Sequence, residues 1–134
     1  QANMYRVQVT LMYDPNQIKQ FGDIWHNDTE DFKNLAKPVE ASLFEYGETV
    51  INKSLQNVKV TSFRNGSIIA DTDVYINLSE SKNPPLDASK LIHRLVNTKK
   101  LTINGTDVAL GDIYVGDEKL TNSTTQCEIF NKLG

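Results

Sequence analysis

The sequence predicts an α+β domain, on three observations. Met4–Tyr13 and Ser67–Leu78 alternate apolar and polar residues with a period of two. Phe32–Tyr46 and Leu91–Val96 carry apolar residues at helical spacing. An Asn65-Gly66 pair separates two of the alternating runs. With 134 residues the chain is long enough for one domain with a core and too short for two comfortable ones.

In the first strand Tyr5, Val7, Val9, Leu11 and Tyr13 share one face, and Arg6, Gln8 and Thr10 the other. A polar connection follows, with Phe21 and Trp25 as the points where it packs down. Asn27 with Glu30 three residues on reads as a helix start. Phe32, Leu35, Ala36, Val39, Leu43 and Tyr46 form the stripe of that helix, and Gly47 stands where a C-terminal cap belongs. Pro38 removes a backbone donor and crowds the preceding turn, so a kink near Lys37, or a second helix beginning at Pro38, is expected.

Asn57–Phe63 reads as the second strand, with Val58 and Val60 inward. The third, Ser67–Leu78, sets Ile68, Ala70, Thr72, Val74 and Ile76 against Asp71, Asp73 and Asn77. Asn83-Pro84-Pro85 ends it, and Asp87 is the expected N-cap of a helix bearing Leu91, Ile92, Leu95 and Val96. The last strand is interrupted at Gly111, where a bulge or bend is expected. Residues 117–134 are polar and without period and read as a C-terminal linker or tail, leaving 1–116 as the domain. The order strand, helix, strand, strand, helix, strand is the ferredoxin-like split βαβ sandwich: a four-stranded antiparallel sheet with its helices on one face.

Composition narrows the function. A net charge of −3 and a pI of about 5.3 argue against nucleic-acid binding, as do Asp71 and Asp73 on an outer strand face. No apolar run of about 18 residues is present to cross a membrane. Gln1-Ala2-Asn3-Met4 carries no signal-peptide pattern and reads as the start of an excised piece. His26 and His93 have no Cys or second His at metal-ligand spacing, so neither metal nor cofactor is expected. No phosphate loop or nucleophile elbow occurs.

The acceptor pattern Asn-x-Ser/Thr, by contrast, is enriched. It occurs at Asn27, Asn52, Asn65, Asn77, Asn104 and Asn122, where the Asn and Ser/Thr content predicts about two by chance. That favours a glycoprotein carrying N-linked glycans, on the cell surface or secreted. Cys127 has no partner within the chain and is available to a neighbouring extracellular module.

Phe63-Arg64-Asn65-Gly66-Ser67-Ile68-Ile69, followed by a long alternating strand, resembles the cleavage motif of SEA domains. These are extracellular modules of transmembrane mucins, some adhesion G-protein-coupled receptors and type II membrane proteases. The resemblance spans roughly Met4 to Val115 and includes the element order and Leu101–Val115, which is similar to the family's last strand. Ala70 departs from it, standing where a third β-branched residue is common. The resemblance implies autoproteolysis between Gly66 and Ser67 by an N-to-O acyl shift, with the two fragments remaining associated. Gly66 and Ser67 are then the reacting pair, and Phe63, Arg64, Asn65, Ile68 and Ile69 the flank. The rival expectation is an uncleaved spacer or adhesion module in which Asn65-Gly66 is a plain hairpin turn.

Overall fold

The computed structural model describes residues 1–134 and has α+β architecture: six strands in one antiparallel sheet, with four helices. In chain order these are β1 (Ala2–Leu11), α1 (Pro15–Gln20), α2 (Glu30–Ile51), β2 (Leu55–Asn65), β3 (Ile68–Asn77), α3 (Pro84–Thr98), β4 (Lys100–Ile103), β5 (Thr106–Val115), β6 (Glu118–Leu120) and α4 (Gln126–Leu133). The sheet runs β2-β3-β1-β5-β4, and β6 adds to β5. β1 therefore lies between β3 and β5, paired with β3 from Ala2↔Asn77 to Leu11↔Ile68.

The expected four strands become six because the last one is three. Lys100–Ile103 forms its own strand, since Asn104 (φ 52°) and Gly105 (φ 76°) make a two-residue hairpin turn onto β5. A second hairpin at Gly116 (φ 62°) returns β6 along Ile113–Val115. The irregularity expected at Gly111 is a register shift between β1 and β5, where Leu11 faces Leu110 but Val9 faces Ile113. A Cβ at Gly111 would stand 2.7 Å from Met12 Sδ and 3.2 Å from Thr10 Cγ2, so side chains of the β1 end fill the space beside the glycine.

Val7, Val9, Leu11, Val58, Val60, Ile68, Ala70, Val74 and Ile76 are all buried and belong to one continuous core. A small void of about 20 Å³ touches Val7, Val58 and Thr72 of the sheet, Leu43 of α2 and Leu91 of α3, so both helices cover the same face. The opposite face is not uniformly wet. Asp73 was expected on the solvent side, yet it is buried, held by the Arg6 guanidinium.

α2 corrects three expectations. Its N-cap is Thr29, whose hydroxyl accepts the Phe32 N–H at 3.0 Å, and not Asn27. It runs unbroken through Pro38, whose neighbour Val39 is wholly buried; core packing along the stripe outweighs the one lost backbone bond. Gly47 does not end it. A Cβ there would lie 2.5 Å from Leu55 Cδ2 and 3.2 Å from Leu91 Cδ2, so Gly47 is a close-packing position, and Asn52, at φ 50° and ψ −129° outside the helical region, ends the helix instead.

In α3, Pro84 and Pro85 occupy the first turn, where a missing N–H costs nothing, and Asn83 is the cap. Asp87, expected as the cap, lies inside that turn and accepts a bond from Ser81 Oγ at 2.6 Å. The connection after β1 contains α1, closed by a capping box between Asp14 and Gln17. Phe21 packs edge-on to Tyr13 as expected, but the buried anchor of the loop is Ile24 and not Trp25, which is 37% exposed.

Residues 117–134 are not a linker. After β6, Thr125 and Glu128 form a reciprocal capping box at the start of α4 (2.9 and 3.1 Å), and Ile129 is fully buried. α4 lies against α3.

Candidate functional site

The residues around Gly66 form the tip of the β2–β3 hairpin. Phe63 anchors β2 in the core beside Phe32, with ring centroids 5.3 Å apart. Ile68, fully buried, anchors β3 and pairs with both Leu11 and Asn65. Because Asn65↔Ile68 is the last ladder pair, the two turn residues are Gly66 and Ser67. This corrects the expectation of an Asn65-Gly66 turn, and it places the Gly66–Ser67 peptide bond at the centre of the loop.

The backbone there is unusual. Gly66 has φ 132°, well beyond the roughly +60° of the first residue in a type I′ turn. Ser67 has φ 56°, a left-handed conformation that an L-residue adopts at a cost of about 1–2 kcal/mol. A Cβ on Gly66 would meet Ile69 Cδ1 at 3.1 Å, so half-buried Ile69 lies against the open side of the glycine.

The Ser67 hydroxyl is fixed from across the sheet. Ser67 Oγ donates to the Leu11 carbonyl at 2.8 Å, with the Tyr13 carbonyl at 3.4 Å. These acceptors are backbone groups at the C-terminal end of β1, reached only because β1 lies beside β3. Water has free access, since Asn65 and Gly66 are both exposed. An open depression of about 360 Å³ is lined in part by Gln8, Arg64, Ile69 and Tyr114.

Arg64 turns away from the Gly66–Ser67 peptide bond. Its guanidinium forks onto Asp71 (Nε to Oδ2 2.9 Å, Nη2 to Oδ1 3.2 Å), and Ser62 Oγ adds a third bond to Asp71 at 2.8 Å. Arg6 grips Asp73 in the same way, at 2.9 and 3.4 Å. Both forks join a residue before Gly66 to one after Ser67. Burial by itself raises the Asp71 carboxyl, but the bonds from Arg64 and Ser62 and the charges of Arg64 and Arg6 outweigh it and hold Asp71 below its ordinary value.

A folded pKa below the unfolded one contributes stability that is present above the unfolded value and lost as pH falls through the folded one. Urea unfolding of the wild type and Asp71→Asn should thus differ most at neutral pH. The gap should close below the ordinary carboxylate range. A gap independent of pH would mean that the Asp71 charge is not what Arg64 and Ser62 hold.

The glycan acceptor candidates are scattered. Asn52, Asn104 and Asn122 are exposed at turns or helix ends. Asn27 is exposed, but its amide donates to the Thr61 carbonyl at 3.3 Å. Asn77 is half-buried, its Oδ1 accepting from the Ser79 N–H and hydroxyl. Asn65 Oδ1 accepts the Gly66 N–H at 2.9 Å. Cys127 is exposed on α4. His26 pairs with Asp23, which raises its pKa, and His93 meets Asn97. No three His, Cys, Asp or Glu side chains stand close enough to share a metal ion.

Sequence reasoning missed the Leu11 and Tyr13 carbonyls, which as backbone atoms leave no residue-type signal. It also missed the two Arg–Asp forks, where only the cross-strand register reveals the partners. No family model matches this chain, and no curated protein does.

Proposed function

We propose that the chain is an extracellular SEA-type module that cuts itself once, between Gly66 and Ser67, and then persists as two associated fragments. The observation that carries this reading is Ser67: a non-glycine residue at positive φ, directly after Gly66, with its hydroxyl held in place by β1. The strand order β2-β3-β1-β5 supports the finer description of a ferredoxin-like core, to which β4 and β6 are additions.

Ser67 Oγ attacks the Gly66 carbonyl carbon. Its proton passes to the Ser67 nitrogen as the C–N bond breaks, giving an ester and a free amine; water then hydrolyses the ester to the Gly66 carboxylate and the Ser67 hydroxyl. Relief of the left-handed strain, about 1–2 kcal/mol, accounts for roughly a tenfold gain. The larger share comes from holding nucleophile and carbonyl in adjacent residues of a rigid turn, where orientation is worth up to about 7–11 kcal/mol. Ile68 and Phe63 keep the two strand ends from relaxing.

Interleaving supports lasting association. Fragment 1–66 contains β1 and β2, and fragment 67–134 contains β3 and β5, so parting them breaks the β1–β3, β2–β3 and β1–β5 ladders together. Such a domain serves as a separable joint near a membrane, carrying N-linked glycans at some of its six acceptor sites, with Cys127 open to a neighbouring module. The denatured intact mass of the purified, deglycosylated domain tests the reading. Two species are expected, one ending at Gly66 and one beginning at Ser67. A single uncut chain would favour an intact spacer or adhesion module.

A further inference from the structure

The dipeptide Asn-Gly occurs twice, at Asn65-Gly66 and Asn104-Gly105, both at β-hairpins, and the two are presented differently. Asn65 belongs to β2, and its Oδ1 accepts the Gly66 N–H at 2.9 Å. That bond folds the side chain back over its own peptide and brings Cγ close to the Gly66 nitrogen. Gly66 has no Cβ to shield the nitrogen, and both residues are open to water.

Asn104 is itself a turn residue in the left-handed conformation (φ 52°). With ψ near +47°, as is typical there, the Gly105 nitrogen lies almost opposite Cβ across the Cα–C bond. The Asn104 side chain cannot approach it without dismantling the turn.

We propose that Asn65 is a site of spontaneous succinimide formation, by which the folded domain loses this amide in preference to that of Asn104. The Gly66 nitrogen gives up its proton to solvent base and attacks Asn65 Cγ. The new N–Cγ bond forms, the Cγ–Nδ2 bond breaks and ammonia departs. Water then opens the five-membered ring. Opening at Cγ gives aspartate; opening at the main-chain carbonyl gives isoaspartate. The net change is one water consumed and one ammonia released. The hydrogen bond already brings the Asn65 carboxamide to the Gly66 nitrogen, so after loss of the N–H proton only a local rotation is needed to set the nitrogen against Cγ, and such proximity is what favours intramolecular reactions.

Either product alters the hairpin. Isoaspartate lengthens the main chain by one atom immediately before a turn whose two-residue length the Asn65↔Ile68 pair sets. Both products remove the nitrogen to which a glycan would attach at residue 65.

The test uses the Ser67→Ala chain, in which Gly66 stays joined to residue 67, so that self-cleavage does not enter. This chain is produced without N-glycans, incubated folded at mildly alkaline pH and digested after lysine. Asn65 is then read in the peptide Val60–Lys82 and Asn104 in Leu101–Lys119. In the folded chain Asn65 should convert to aspartate and isoaspartate severalfold faster than Asn104. In a parallel sample kept unfolded in urea the two rates should become equal. Asn104 keeping pace in the folded chain, or the same ranking surviving in urea, would overturn the proposal.

Discussion

Ser67→Ala and Ser67→Gly should each run as one uncut chain under denaturing conditions, because neither supplies the hydroxyl that attacks Gly66. If Ser67→Ala still cuts, the hydroxyl mechanism is wrong. The same pair measures the backbone. Both lose the bond to the Leu11 carbonyl, worth about 1 kcal/mol. Alanine retains the penalty of φ 56°, whereas glycine does not. After allowance for the greater freedom of glycine in the unfolded chain, Ser67→Gly should be more stable than Ser67→Ala by about 1 kcal/mol in urea unfolding. Equal stability would mean that residue 67 is not held left-handed, and the strain contribution to cutting would fall with it.

Ile129→Ala should cost about 2–4 kcal/mol, the usual penalty for emptying a fully buried aliphatic site. Lys132→Ala, which breaks an ion pair with exposed Glu118 and trims a partly covered stem, should cost less than Ile129→Ala. The contrast asks whether α4 belongs to the core or merely lies against it. An Ile129→Ala variant within a few tenths of a kcal/mol of wild type would make residues 121–134 an attached tail. On the reading above α4 belongs to fragment 67–134, so the loss should also be felt by a cut molecule, as fragments that separate at lower urea.

The elements legible in the sequence were the long, half-buried ones. Through all ten residues of β3, and in β1 from Tyr5 to Leu11, every second residue faces the core, so the same signal repeats and chance agreement is small. The stripe from Phe32 to Leu43 was legible for the same reason, but its ends were not. Asn27 is by residue type at least as good a cap as Thr29, and only the path of the loop decides for Thr29. Pro38 and Gly47 both carry local penalties that packing overrides, and packing involves residues far away in the chain, such as Leu55 and Leu91.

α4 was missed because eight residues give two turns, with the single buried residue Ile129. Its one local sign was Thr125 with Glu128, a capping box followed by an apolar residue. β4 was merged with β5 although Asn104-Gly105 carries the same hairpin signal as Asn65-Gly66.

At the hairpin tip, the sequence by itself determined which residues are present: a glycine that tolerates any φ, a hydroxyl beside it and anchoring apolar residues on either side. It also determined their order, because these properties belong to single side chains and their neighbours. Only the tertiary structure decided which two residues form the turn, that Ser67 is left-handed, and that its hydroxyl meets the Leu11 carbonyl. The reason is physical. Those outcomes depend on the register of β2 against β3 and of β3 against β1, and register is set by burying one whole face of the sheet at once.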